Sequence, residues 1–452
     1  MLIFVAVTAI LSIIYAVQVY VGGPLRVGLT SEINDLALYR SGALKYVHWT
    51  GGAWEIQTVD DLGNVGQYAS LALDSAGNPH MSYYDAVTGA LRYARQTGRG
   101  WDVQTVDSQG GVGAHSSLVL DSADKPHISY CRYDAVDQTC SGLKYAHYDG
   151  SAWITMTVDP AIGTGQYSSL ALDYFAQPHI GYYDSAGGVL RYAHLSGTVW
   201  LSETVDSAGN AGLYTSLALD SIDKPHISYQ EAASGVLRYA HLSGTVWLAE
   251  TVDSALGVGE YTALILDSAD NPHMSYYAAH GALRYARWTG GGWDIQTVDS
   301  ENAGQYSSLA LDKSDQPHIS YYDAANGALK YARWTGGDWD VQTVDNTGDV
   351  GRHSSLILDG YGDPHLTYYS SNAIVAAGTQ EGTVRWWDIE AKWATRTLPG
   401  SASPVVRVAF DPFGSTLISV SSDGMVRLWH MPGGALRQEF DVGEGGRCVA
   451  SH

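Results

Sequence analysis

Residues 70–107 read SLALDSAGNPHMSYYDAVTGALRYARQTGRGWDVQTVD, four short runs rich in Leu, Val, Tyr and Thr divided by clusters of Gly, Asn and Asp. Each run is of strand length and each divider carries turn chemistry, so the stretch predicts four antiparallel strands joined by tight turns. No segment of it holds a 3.6-residue apolar period, which excludes a helical solenoid.

Outward from this stretch, the same grammar recurs about every 47 residues. The first run closes at Asp74, Asp121, Asp173, Asp220, Asp267, Asp312 and Asp359. The second opens with Pro-His, its histidines being His80, His127, His179, His226, His273, His318 and His365. The third carries Tyr46, Tyr93, Tyr145, Tyr192, Tyr239, Tyr285 and Tyr331. The fourth runs from Trp54, Trp101, Trp153, Trp200, Trp247, Trp293 and Trp339 to a Val-Asp close. Four strands per repeat is the pattern of a propeller blade. The chain enters at a third strand near Leu44 and leaves after a second strand at Tyr369, so two half-blades sum to one. The expected fold is therefore all-β, a seven-bladed β-propeller over residues 36–370 whose last blade is stitched from both ends. Leu36–Tyr39 weakly resembles a second strand and competes with His365–Tyr369 for the closing place.

Beyond residue 372 the pattern changes. AIVAAGTQEGTVRWWDI and VVRVAFDPFGSTLISVSSDGMVRLWHM, within residues 373–452, resemble WD repeats through Trp387–Asp388 and the Asp423–Gly424 turn, although His430 stands where the second unit's Asp is expected. Under two such repeats cannot close a ring alone. The piece reads as a truncated second propeller, a recombination scar or added strands, and its open edge predicts self-association. The blade region itself resembles bacterial secreted proteins with Asp-box or sialidase-like blades, with L-D-S-x-[GD]-x-P-H in place of the Asp-box signature.

Residues 1–25 hold an uncharged apolar run, and the first charged side chain is Arg26. Some 20 apolar residues suffice to cross a bilayer, and the missing basic start favours a helical membrane anchor over a cleaved signal segment. Cys131 and Cys140 flank the one long insertion in the repeat and are placed for a cross-strand disulfide. Anchor and disulfide together predict an extracytoplasmic protein, membrane-anchored or secreted.

A net charge of −22 excludes nucleic acid as a natural partner. Much of that charge recurs at Asp60, Asp107, Asp159, Asp206, Asp253, Asp299 and Asp345, which close the fourth strands, and at Asp85, Asp134, Asp184 and Asp323 between the second and third. These predict an acidic rim, read either as a solubilising surface or as a ligand-binding one for a basic partner or a cation. The Pro-His histidines read as structural, each fixing a hydrogen bond between packed blades. No D-x-D-x-D spacing or other metal motif occurs, and no cofactor is implied. Catalysis needs unlike groups converging once, whereas these polar residues recur seven times. The expected function is non-catalytic binding or adhesion to a protein or glycan surface, lectin-like, through repeated equivalent sites. A structural subunit of an extracellular assembly is the second reading and a degenerate glycan-processing enzyme the third.

Overall fold

The computed structural model describes residues 33–134, 139–279, 281–388, 394–400, 402–411, 416–431 and 434–441. The expected N-terminal anchor helix lies outside these residues, and among the described ones no helix is long and apolar enough to cross a membrane. The chain divides into two compact units, Gly42–Ser371 and the remainder. Two long strands, Ile33–Trp49 and Pro364–Thr379, contribute to both.

Unit Gly42–Ser371 is a propeller of four-stranded antiparallel blades. The opening stretch forms Val65–Leu73, Pro79–Asp85, Ala90–Thr97 and Gly100–Asp107, paired in chain order. Five further sheets repeat that order through Trp339–Asp345. The remaining blade joins Asp349–Leu358 and the start of Pro364–Thr379 to the end of Ile33–Trp49 and Trp54–Asp60. Tyr46 there meets His365, and the Thr367 hydroxyl donates to the Lys45 carbonyl. His365–Tyr369 thus holds the second-strand place, while Leu36–Tyr39 belongs to the other unit.

Burial follows strand position. The second strands are covered on both faces, as in Pro79–Asp85, because each lies between neighbouring blades. The fourth strands alternate towards solvent. The first strands are bent by a register shift, as between Gln67 and Ser70. At each bend the preceding glycine presses against the neighbouring blade: a Cβ on Gly66 would lie 2.9 Å from the Leu44 Cα, and one on Gly113 2.7 Å from that of Leu91. Only glycine permits that approach at their positive φ.

The other unit contains the sheet Val405–Phe410, Thr416–Ser421, Met425–His430 and Ala435–Asp441, together with Val384–Asp388 and Ala394–Leu398. Its core gathers Ile374, Val384, Trp386, Leu398, Leu417 and Trp429. The segment before the propeller is tied to it, since Asn34 donates to the Val405 carbonyl at 3.0 Å and Asp35 accepts from the Val408 amide at 2.9 Å.

Candidate functional site

The Pro-His histidines lie inside the blades. Each Nδ1 meets the third-strand tyrosine hydroxyl of its own blade: His80 with Tyr93, His127 with Tyr145, His179 with Tyr192, His226 with Tyr239, His273 with Tyr285, His318 with Tyr331 and His365 with Tyr46. Each Nε2 faces the aspartate ending its own first strand at 3.4–3.9 Å. Burial holds these imidazoles below the ordinary histidine range against the pull of the carboxylate. The tyrosines in turn pack edge-on against the fourth-strand tryptophan of the next blade, with centroids 5.1–5.6 Å apart.

The fourth-strand aspartates are drawn into the same joints. Tyr83 donates to Asp60, Tyr130 to Asp107, Tyr182 to Asp159, Tyr229 to Asp206, Tyr276 to Asp253, Tyr321 to Asp299 and Tyr368 to Asp345, each hydroxyl coming from the following blade. The other oxygen of each caps its own turn, as from the Gln109 amide to Asp107 and the Ala161 amide to Asp159. Cations complete several: Lys144 on Asp107, Arg238 on Asp206, Arg284 on Asp253 and Lys330 on Asp299. Of the loop set, Asp85, Asp184 and Asp323 pair with Arg92, Arg191 and Lys330, and only Asp134 is well exposed. The aspartates expected to form an open acidic rim therefore serve largely as bolts between blades, because a tyrosine hydroxyl arrives 22 or 23 residues further along the chain.

Two features of the geometry were not singled out from the sequence. The first is a collar at the axis. Tyr68, His115, Tyr167, Tyr214, Tyr261, Tyr306 and His353 stand at the strand bends with φ of 52–55°. For side chains this bulky that is strained backbone. It turns each ring inward, and neighbouring rings follow one another in a closed cycle, with centroids 4.5–4.8 Å apart and planes 42–63° apart. They border a cavity of about 190 Å³ backed by serine and threonine hydroxyls. Burial lowers His115 to about 4 and His353 to about 3, so both are neutral at ordinary pH. The second feature is a cleft of about 350 Å³ between adjacent blades, bordered by Trp153, Tyr148, Arg95, Gln96, Asp124 and Lys125. It offers flat aromatic faces beside both donors and acceptors. Among the described residues no cluster has the composition of a metal site.

Cys131 and Cys140 are joined in a disulfide, both fully buried, with Cα atoms 5.7 Å apart.

The family model described as WD domain, G-beta repeat matches residues 393–430. Nuclear distribution protein nudF 2 of Penicillium rubens is 36% identical over 78 residues, 17% of this chain and 14% of the relative. Nuclear distribution protein PAC1 of Tuber melanosporum is 32% identical over 80 residues, 18% and 15% respectively. The match thus spans about one seventh of those relatives' length. Among solved structures, a mutant of AofleA from Arthrobotrys oligospora covers 62% of this chain and 89% of its own at 12% identity and a TM-score of 0.45. A fungal lectin from Aleuria aurantia, described as a six-bladed β-propeller with a fucose recognition mode, covers 63% and 96% at 16% identity and a TM-score of 0.43. The relatives named are fungal, and none supports the resemblance to bacterial secreted Asp-box proteins.

Proposed function

We propose that Gly42–Ser371 closes as a seven-bladed propeller that binds saccharides, without catalysis, in equivalent clefts between its blades, and that it works outside the cytoplasm. The observation that carries the reading is the cleft bordered by Trp153, Tyr148 and Arg95. Aromatic faces suit the apolar faces of a pyranose, and flanking Gln96, Asp124 and Lys125 suit its hydroxyls. The seven-blade count is supported by the closed cycle of collar rings. The disulfide supports an oxidising compartment. Absence of turnover is supported by the occupied nitrogens of every Pro-His imidazole.

The test is a glycan array probed with the intact chain, followed by calorimetry on the best neutral ligand. Binding should weaken at least tenfold in Arg95→Ala, whose side chain is exposed and paired with Asp102. No binding to any glycan would sink the reading, and hydrolysis of a chromogenic glycoside would overturn its non-catalytic part. Free thiols at Cys131 and Cys140 in the protein's native compartment would remove the extracytoplasmic part.

The WD-repeat match at residues 393–430 favours a second reading, a scaffold that self-associates or holds another protein through this unit. The strand Ala435–Asp441 is exposed along its whole length and has a partner on one side. A monomer at all concentrations in sedimentation would count against self-association.

A further inference from the structure

The blade containing the disulfide breaks the repeat at one point, and the break builds a cavity. Its second strand, Pro126–Asp134, runs two residues longer than its counterpart Pro79–Asp85, and the ladder to Thr139–Tyr148 is irregular between Cys131 and Tyr133. Beside this hairpin lies a cavity of about 440 Å³ bordered by Tyr84, Arg132, Tyr133, Asp134 and Ser141, with Gly110 and Gly111 among its walls.

Three departures from the commonest form of the repeat converge here. Arg132 pairs with Val112 at the register where Asp85, Asp184, Glu231 and Asp323 stand in their own blades. A recurrent acid is thereby replaced by a base. Those acids hold a third-strand Arg or Lys, two of which also reach the fourth-strand aspartate of the preceding blade, and Lys144 of this blade keeps only that second kind of contact, to Asp107, among the described residues. The Arg132 guanidinium is exposed, and among the described residues no carboxylate lies within ion-pair distance of it. Tyr84 differs as well. Three of its counterparts, Tyr183, Tyr322 and Tyr369, donate to Asn210, Asp349 and Asn64 on the next blade's entry loop. At that loop position Tyr84 meets Gly111, which has no side chain to accept. A Cβ there would lie 2.4 Å from the Tyr133 carbonyl oxygen, so the close hairpin demands the glycine and leaves the cavity. Finally, Tyr133 and Tyr84 stand edge-to-face at 5.8 Å, giving one aromatic wall.

We propose that this cavity is a single, asymmetric site for a carboxylate-bearing monosaccharide unit, such as a uronic acid. The inference rests on the saccharide reading above and names a ligand class for one place on the ring. Arg132 takes the carboxylate through its planar fork. The half-buried Tyr133 ring takes the pyranose, backed by the buried Tyr84 ring, and the Tyr84 and Ser141 hydroxyls, with Asp134, line the cavity towards its hydroxyl groups. A net charge of −22 repels a polyanion, so a singly charged residue at a chain end or branch fits better than an acidic polymer.

Calorimetry on the full chain with methyl glucuronide and methyl glucoside tests this, in wild type, Arg132→Gln and Tyr84→Phe. The expected result is tighter binding of the glucuronide, a loss of tenfold or more in Arg132→Gln, a smaller loss in Tyr84→Phe, and unchanged binding of the neutral glycoside. Neutral binding with no preference for the glucuronide, or a preference untouched by Arg132→Gln, would overturn this site and leave the general reading standing. Glucuronide binding sensitive to Arg132→Gln, without neutral binding, would keep this site and overturn the repeated clefts. Absence of both would overturn both. A circular dichroism melt of each variant, matching wild type, establishes that the fold is intact.

Discussion

The two units use tryptophan in opposite ways. In the propeller a fourth-strand indole looks for its partner on the neighbouring blade: Trp153 donates to Gln104, Trp247 to Glu203, Trp293 to Glu250 and Trp339 to Gln296. In the other unit Trp429 is fully buried and donates to Ser419 of its own sheet at 2.9 Å. A propeller blade is therefore incomplete by itself, since its indole, tyrosine and aspartate groups are satisfied across joints. The WD-like sheet completes this bond internally. The propeller should therefore melt as one body, while damage in the WD-like sheet should stay local.

The sharpest way to break that contrast is Tyr276→Ala. This side chain is fully buried and bolts its blade to Asp253, so its loss should cost about 3–5 kcal/mol. Calorimetry should show the whole propeller transition moving down together; a new low-temperature step for one blade alone would mean the blades are independent.

Acid should act on the propeller through its collar. His115 and His353 titrate near 6.5 when unfolded and at about 4 and about 3 when folded. Between those limits the unfolded chain binds more protons, so stability falls as pH drops below about 6.5 and stops falling through these groups once their folded values are passed. The slope is about 1.4 kcal/mol per pH unit for each imidazole. Because other blades carry tyrosine here, the double variant His115→Tyr, His353→Tyr should keep the fold and flatten the acid limb of a urea-stability profile. An unchanged limb would place the acid sensitivity elsewhere.

Ser419→Ala tests the other side of the comparison. It leaves the Trp429 indole without its acceptor, at a cost of about 1–2 kcal/mol. Amide exchange should quicken in residues 405–441 and stay unchanged in the propeller.

The smallest effect is a gain. Trp200 is the counterpart of Trp153, but its indole nitrogen is buried without a partner because Met156 stands where Gln104 serves Trp153. Met156→Gln should supply the acceptor and raise stability by about 0.5–1 kcal/mol, read from the chemical-denaturation midpoint.

Much of this was legible in the sequence. The strands, their order and the stitching of the last blade follow from apolar runs and turn residues that recur in a fixed sequence. Pro-His could be read as internal because a second strand in a propeller packs on both faces against neighbouring blades. The destination of the fourth-strand aspartates was harder, since hydrophobic patterning places them at a rim and says nothing about what reaches them. The signal was a nearly constant spacing: Asp60 to Tyr83, Asp107 to Tyr130 and Asp345 to Tyr368 are each 23 residues apart, and Asp299 to Tyr321 is 22. The collar was hidden for a different reason. Strand alternation fixes which face a side chain takes, and a left-handed residue at the bend breaks that rule. VGQYASL, VGAHSSL and VGRHSSL do repeat an aromatic two residues after glycine, but only the backbone turn reveals that it points to the axis. The charge inversion at Arg132 was obscured by the insertion, which hides its alignment with the acids of other blades.

The tyrosine–aspartate bonds between blades all run one way, each blade's second-strand tyrosine reaching back to the fourth-strand aspartate before it. A blade copied whole thus brings half of both its joints, matched to any neighbour. Leu190–Ala208 and Leu237–Ala255 differ only at Ser202 and Ala249, as tandem copying would leave them. Such a ring is heritable in units: gene duplication inserts a working part with its fittings attached, and selection is free to tailor one copy while its siblings hold the circle.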